Sequence, residues 1–387
     1  MFMIQTLNKI SAAGLDHFPH ESYEIASEII HPHAIIVRSH NMHGMEFPPS
    51  LLAIARAGAG VNNIPVERCL DRGIVVFNTP GANANSVKEL VLAGLFLSSR
   101  KILQAIEWTR CLVGRGDRVP RLVEKGKSRF GGPEIMGKKL GVIGLGAVGV
   151  MVANDAAALG MEVTGYDPFI SVESAWGLSR DIKKARGLEN LLSDSDYLTL
   201  HVPLNEETDG MINHDRFSIM KRGVRLLNFA RGSLVNAADL KEAIEKEIVE
   251  VYITDFPEEE LLGMDRVICI PHLGASSVEA EENCAIMAVQ QLRAFLECGT
   301  IRNSVNFPDC DMDIMGDRRL VIANRNIPAM VGQITAVLAD ERINIADMLN
   351  RSRGDLAYNI IDIDGKISEK SIEKIRDIHG VLMVRVI

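Results

Sequence analysis

The run Lys138-Lys139-Leu140-Gly141-Val142-Ile143-Gly144-Leu145-Gly146-Ala147-Val148-Gly149 constrains this chain more than any other stretch. A short apolar strand enters glycines spaced G-x-G-x-x-G, and helical periodicity continues through Leu159. The next apolar run, Met161 to Tyr166, ends at Asp167, 23 residues after Gly144. Strand, glycine turn, helix, strand and acid in that order form the dinucleotide-binding fingerprint in its full context. Gly144 permits the tight turn, Gly146 lets backbone approach a pyrophosphate, and Gly149 lets the helix pack on its strand. Ala147 and Val148 then open a helix whose unpaired N–H groups can receive phosphate. An Asp167 carboxylate can accept from both ribose hydroxyls and would repel a 2′-phosphate, so NAD is expected rather than NADP. An ordinary βα turn could share the glycines, but not the acid in register with them.

The fingerprint starts more than a third of the way along 387 residues, so something of domain size precedes it. That length suits two or three domains. No apolar run of about 18 residues is present, so no transmembrane span is expected. Met1 to Ile10 lacks the build of a signal peptide, and a cytoplasmic location is expected. Six scattered cysteines with no C-x-x-C pair read as reduced thiols, with neither a disulfide frame nor a metal site. A net charge of −9 argues against nucleic acid as a partner and means that an anionic substrate needs a locally basic pocket.

Residues 1–96 carry apolar runs at Ala34–Val37, Leu52–Ala57 and Ile74–Phe77, the pattern of buried parallel strands. Residues 101–130 hold eight Lys or Arg against three acids and read as a solvated helical arm, with a phosphate-attracting surface as the alternative. From 138 to 272 strands and helices alternate, with strands at Leu140–Ile143, Glu162–Tyr166, Tyr197–His201, Arg225–Phe229, Val249–Asp255 and Val267–Ile270. Six such strands fit one doubly wound sheet. A long amphipathic helix follows at Ser277–Gly299, and Pro308 with the acidic stretch Asp309–Asp317 reads as a linker. The tail from Arg318 has the order βαββαβ of a ferredoxin-like domain. There Pro328 is expected to open a helix and Ser368 to cap one.

In open α/β sheets ligands bind beyond the carboxyl ends of the strands. Asn228-Phe229-Ala230-Arg231-Gly232, Asp255-Phe256-Pro257-Glu258-Glu259-Glu260 and Pro271-His272-Leu273-Gly274 end three successive strands. Oxidation of a 2-hydroxy acid needs an arginine, a carboxylate and a histidine together. A guanidinium can hold the substrate carboxylate and polarise the C2 oxygen. A histidine can take the hydroxyl proton as hydride leaves, and a neighbouring carboxylate can orient it and raise its pKa. Arg231 could instead make a surface ion pair, and His272 could be structural. Three such coincidences at the strand ends of one domain are harder to explain.

Across essentially its whole length the chain resembles the D-isomer-specific 2-hydroxyacid dehydrogenases. The resemblance rests on Gly144-x-Gly146-x-x-Gly149, His201-Val202-Pro203, Asn228-x-Ala230-Arg231-Gly232, Asp255 and Pro271-His272-x-Gly274. Within the family it is most similar to the phosphoglycerate branch of the short type. The resemblance implies a Rossmann NAD-binding domain over 97–276, inserted into a flavodoxin-like substrate domain formed by 1–96 and 277–308. It also implies an ACT-like regulatory domain at 318–387. Arg231 is then the substrate binder and His272 the acid/base. Glu260, five residues after Asp255, is its partner, with Glu258 and Glu259 leaving the register open. Asp255 is expected to hold the nicotinamide carboxamide and Val87 to touch the ring. His201, Val202, Pro203, Ala230, His272 and Gly274 complete the cofactor set. Lys88 stands where alanine is common in the family, and the sequence offers no physical account of it.

In the first domain, Ala59-Gly60-Val61-Asn62 resembles the loop whose N–H groups take the substrate carboxylate, so Ala59, Gly60 and Asn62 are expected there. Arg38-Ser39 resembles the pair near the substrate phosphate, which an arginine fork suits. His40 follows where some relatives have a second arginine. In the tail, Asn326 and Asn344 occupy positions expected to bind an amino acid. Asn324 stands where histidine is common, and Ala329 where glycine is. L-serine as an effector and a purely structural, oligomer-forming module both remain open. The resemblance implies oxidation of 3-phosphoglycerate with NAD at the start of L-serine synthesis, in a homodimer or homotetramer. Reduction of hydroxypyruvate, glyoxylate or another small 2-oxo acid is the alternative, and an NAD-sensing regulator is a further one.

Overall fold

The computed structural model describes residues 1–387. The chain divides into two compact units, Ala84–Ser277 and the pair Met1–Asn83 with Val278–Ile387.

The Ala84–Ser277 unit holds a seven-stranded parallel sheet. From one edge its order is Val267–Cys269, Val249–Thr254, Val224–Asn228, Tyr197–Leu200, Lys139–Ile143, Glu162–Tyr166 and Lys183–Lys184. The chain starts in the middle and winds outward in both directions, which is the doubly wound Rossmann arrangement. All six expected strands are present. The seventh, Lys183–Lys184, is two exposed lysines paired with Thr164 and Gly165, too short and too polar to carry a periodic signal. The unit begins at Ala84 rather than at residue 97. Helix Ala84–Ser99 buries Val87, Val91 and Leu95 in one core with Leu140, Val142 and Ile253, and apolar burial decides which unit a helix joins. The basic arm is helical at Ile102–Arg110 and Val119–Gly126, and the first of these helices buries nothing.

In the other unit a five-stranded parallel sheet runs Tyr23–Ala26, Phe2–Leu7, Ala34–Val37, Ala53–Arg56, Val75–Phe77, the flavodoxin-like order 2-1-3-4-5. Three of these strands coincide with the apolar runs read from sequence; the two at the start do not. Phe2–Leu7 and Tyr23–Ala26 are mostly half-buried near the sheet edge and lack a continuous apolar run. Helix Val278–Cys298 covers one face through Ala285, Ala288, Leu292 and Phe295.

Residues 318–386 form Arg318–Arg325, Met330–Asp340, Ile345–Arg353, Leu356–Ile363, Glu369–Arg376 and Val381–Val386, which is βαββαβ. Their separate sheet is antiparallel, in the order Ile345–Arg353, Leu356–Ile363, Arg318–Arg325, Val381–Val386. Its two helices cover one face through Ile334, Leu338, Ile372 and Ile375. The opposite face, with Val321, Tyr358 and Ile360, shares a core with Phe295 and Leu296 of the long helix. The expected linker is pinned accordingly. Cys310 bridges to Ile301, Met315 N–H donates to Asp362 at 2.8 Å, and Asp317 N–H donates to Ile363 O at 3.0 Å. Pro328 does not open its helix; Ala329 intervenes at φ +68°, and the helix starts at Met330. Ser368 caps as expected, accepting from Ser371 N–H. No helix of the chain is long and apolar enough to cross a membrane.

Candidate active site

Strand ends build the nucleotide side. Gly144 turns at φ +92°, and a Cβ there would lie 2.6 Å from the His201 carbonyl oxygen. A Cβ on Gly149 would lie 2.0 Å from Gly144 O, so the helix could not approach its strand. Gly146 faces open space instead, the free approach a pyrophosphate requires, and Ala147–Ala158 begins directly after it with no acid in its first turn. Asp167 clamps this loop: Oδ2 accepts Leu145 N–H and Oδ1 accepts Phe169 N–H, both at 2.8 Å. Each carboxylate oxygen keeps a lone pair for a ribose hydroxyl.

His201 continues the strand beside the glycine loop, its N–H donating to Ile143 O at 2.7 Å. Its Nε2 lies 3.0 Å from Thr199 Oγ1, and burial pushes the imidazole down to about 4. Val202 and Pro203 follow it into the loop; the Val202 side chain would meet a Cβ on Gly144 at 3.0 Å.

Three adjacent parallel strands end level at Asn228, Thr254 and Cys269. Arg231, Asp255 and His272 follow within three residues of those ends, on strands spaced by about 4.8 Å. Buried Asn228 shapes the first turn: Nδ2 donates to Arg231 O at 2.8 Å and Oδ1 accepts Ala230 N–H at 3.2 Å. The Arg231 guanidinium is exposed, with Nη1 donating to Ala230 O at 2.6 Å. Asp255 is buried; its Oδ2 accepts Gly274 N–H at 3.3 Å and its Oδ1 has no partner. Burial raises this carboxyl above the usual range, against the pull of His272 and Arg231. A Cβ on Gly274 would meet Val87 Cγ2 at 3.3 Å and Asp255 Oδ2 at 3.4 Å, so these three expected cofactor residues are together. An orphaned buried acceptor beside an apolar side chain suits a carboxamide N–H on a flat ring.

His272 is exposed and packs on Phe256, with ring centroids 4.7 Å apart. No ion pair joins it to Glu258, Glu259 or Glu260, so the expected dyad is not closed in this structure. Glu260 lies in the short helix Glu259–Leu262. Glu258 is the N-cap of that helix, and its Oε1 lies 3.3 Å from where a Cβ on Gly232 would be, beside the arginine turn.

In the other unit, Arg38 follows strand Ala34–Val37 and pairs with Glu281 at 2.6 Å. Asn8, itself at φ +70°, accepts from the N–H groups of Ser39 and His40 at 3.0 and 2.6 Å. The Ala59–Asn62 loop is held from its carbonyls: Asn78 Nδ2 donates to Ala59 O at 2.6 Å, and His43 Nε2 lies 3.0 Å from Asn62 O. Gly60 lies between them. Asn8, Asn78 and Glu281 carried no signal in sequence, because each acts on a residue far along the chain. Asn228 stood inside a recognised motif and could have been singled out there.

The three asparagines of the tail do not meet. Asn324 is buried in a cross-strand ladder, its Oδ1 accepting Asn359 Nδ2 at 2.7 Å while Asn359 Oδ1 accepts Asn350 Nδ2. Asn326 donates to Gly354 O, and Asn344 donates to Asp364. Gly354 and Asp364 lie beyond opposite ends of strand Leu356–Ile363, whose eight residues span about 27 Å.

A family model described as the NAD-binding domain of the D-isomer specific 2-hydroxyacid dehydrogenases matches residues 95–274. A D-3-phosphoglycerate dehydrogenase of Haemophilus influenzae is 30% identical, over 99% of this chain and 94% of its own. The chain belongs to the D-isomer specific 2-hydroxyacid dehydrogenase family. It is an NAD-dependent dehydrogenase, and the cradle of Gly144, Gly146, Gly149, Asp167 and Asp255 fits that cofactor. A D-3-phosphoglycerate dehydrogenase of Escherichia coli is 31% identical over 87% of this chain and 82% of its own. Among solved structures, an NAD-bound 3-phosphoglycerate dehydrogenase of Entamoeba histolytica superposes with a TM-score of 0.61 at 25% identity, covering 79% of this chain and 98% of that one.

Proposed function

We propose that the chain oxidises 3-phospho-D-glycerate to 3-phosphooxypyruvate, the first step of L-serine synthesis. The observation that carries this is the near full-length match to a relative of that activity. Bound NAD supplies the acceptor for the C2 hydride. The Arg231 fork holds the substrate carboxylate and polarises the C2 oxygen as it becomes a carbonyl. His272 accepts the hydroxyl proton, and one of the neighbouring glutamates, Glu260 by register, steadies the resulting cation once the site is filled. Asp255 would hold the carboxamide, Val87 would face the ring, and Ala230, His201, Val202, Pro203 and Gly274 would line the cofactor. Arg38 with Ser39 takes the phosphate, and the N–H groups of Ala59, Gly60 and Asn62 take the carboxylate.

The test follows reduced nicotinamide in parallel assays: its formation from NAD with 3-phosphoglycerate, and its consumption with hydroxypyruvate or glyoxylate. Preference for the phosphorylated acid that disappears in Arg38→Ala supports the proposal. An unchanged preference in that variant would overturn the phosphoglycerate reading, and no turnover of any acid would favour a sensor.

The C-terminal βαββαβ module is ACT-like in this reading. Two roles stand for it, an L-serine site and a structural cover. The sharing of its core with the long helix favours the cover. Calorimetric titration with L-serine distinguishes them, since only an effector site gives heat together with inhibition. An assembly of two or four chains, measured by light scattering, would let the distant Asn326 and Asn344 meet across protomers.

A further inference from the structure

Arg38 stands at the carboxyl end of strand Ala34–Val37, where it is expected to meet the phosphate. Its guanidinium is already occupied. Nη1 lies 2.6 Å from Oε1 of Glu281, and both side chains reach solvent, at 32% and 43% relative exposure. Glu281 belongs to the first turn of helix Val278–Cys298, where the unpaired N–H groups of a 21-residue helix favour a negative charge. The helix therefore holds this carboxylate where its own N-terminus favours it.

The backbone behind the pair is fixed. Arg38 O accepts Arg56 Nε at 3.1 Å and Asn63 Nδ2 at 3.4 Å. The Arg56 guanidinium lies beside the glycine loop, with Nη1 2.5 Å from where a Cβ on Gly58 would be. Arg38 thus has the Arg56 side chain on its carbonyl and the Glu281 carboxylate on its guanidinium. The buried Cys284 thiol, one turn along the helix from Glu281, is pushed up by burial and stays neutral. Two opposite charges that are both open to water hold each other weakly and can exchange partners.

We infer that Glu281 is a specificity-determining residue: it occupies the Arg38 fork as an internal counter-ion that the substrate phosphate must displace. A dianionic phosphate can outcompete a single carboxylate for the fork, while an unphosphorylated acid leaves the pair intact. Glu281 therefore sets the affinity for the phosphorylated end and leaves the chemical step untouched. It also offsets the Arg38 charge, so that a free monoanionic acid is drawn to it less strongly.

This inference rests on the phosphoglycerate reading. Its test is the variant Glu281→Gln, which keeps the shape and removes the charge. The expected result is a KM for 3-phosphoglycerate lower by about two- to five-fold, the range for a partly exposed ion pair. The kcat should stay within about two-fold. Inorganic phosphate should likewise inhibit Glu281→Gln at lower concentration than the parent. An unchanged or raised KM overturns the inference, as does an equal gain for unphosphorylated acids. Arg38→Ala separates the two levels. If it abolishes the preference for phosphate while Glu281→Gln fails to tighten binding, only the counter-ion role falls. If Arg38→Ala leaves that preference intact, the phosphoglycerate reading falls and takes this inference with it.

Discussion

The nucleotide-binding unit and the C-terminal sheet are both sheets flanked by helices, but they differ in what covers them. In Ala84–Ser277 both faces are closed by the unit's own helices, with Leu140, Val142 and Val91 on one side and Leu198, Leu226 and Leu240 on the other. The C-terminal sheet closes one face only, and Phe295 and Leu296 of helix Val278–Cys298 close the second. Strand side chains then bind the end of that helix. Arg319 donates to Cys298 O at 3.0 Å, Arg385 donates to Phe295 O at 3.2 Å and Leu296 O at 2.7 Å, and Tyr358 donates to Gly299 O at 2.8 Å. The unpaired carbonyls at a helix C-terminus need such donors. A string of elements identifies a fold, but independence depends on which faces find cover within the string.

The largest expected effect belongs to the nucleotide-binding unit, where chemistry and stability are separable. His272→Ala should lower kcat by about 10²–10⁴-fold, the usual range for a positioned acid/base. Because the ring is exposed, the thermal midpoint should hardly move; turnover close to the parent's would remove His272 from the mechanism.

For the C-terminal sheet the sharpest probe is its buried ion pair. Arg319 and Asp362 are 2% and 0% exposed, and Nε to Oδ1 is 2.6 Å. Asp362→Ala strands a buried guanidinium and should cost about 3–5 kcal/mol in chemical denaturation. If the sheet shares its core, the amides of helix Val278–Cys298 lose hydrogen-exchange protection with it. Protection kept in the helix while residues 318–387 open would break the comparison.

His201 gives the nucleotide-binding unit a pH dependence. Its folded pKa is depressed to about 4, from an ordinary 6.5. Between those values the unfolded chain takes up a proton that the folded one refuses, so stability is fully present near pH 7 and falls on acidification through that window. The loss is at most about 3 kcal/mol. Denaturation at pH 7 and pH 4.5 should show it, and His201→Gln should flatten the slope; an equal slope in the variant would assign it to other groups.

The smallest effect tests the C-terminal sheet's own helices. Ser368→Ala removes the cap on Ser371 N–H and should cost about 1 kcal/mol. A much larger loss in the melting curve would mean that Ser368 matters mainly through its 2.6 Å bond to Glu341.

The parts of the site readable beforehand were those whose signal lies in contiguous residues. The glycine loop, Asp167, and the strand ends bearing Arg231, Asp255 and His272 each follow from a local pattern. What escaped was set at long range. Arg38 and Glu281 stand 243 residues apart, and nothing around either one names the other. Asn8 and Asn78 hold backbone that is remote in sequence. The opening strands of the first sheet and Lys183–Lys184 were too irregular or too short to show a period.

The sequence by itself determined the family, the cofactor loop and the order of strands, because glycine geometry and apolar periodicity are properties of neighbouring residues. Only the tertiary structure decided that helix Ala84–Ser99 joins the nucleotide-binding unit, since burial of Val87, Val91 and Leu95 depends on what they meet. The same holds for the tail: it completes the core of the unit formed by Met1–Asn83 and Val278–Ile387, and its asparagines stand at separate places on one sheet. Hydrogen bonds and ion pairs are satisfied by whichever group arrives in space, and a linear pattern does not carry that information.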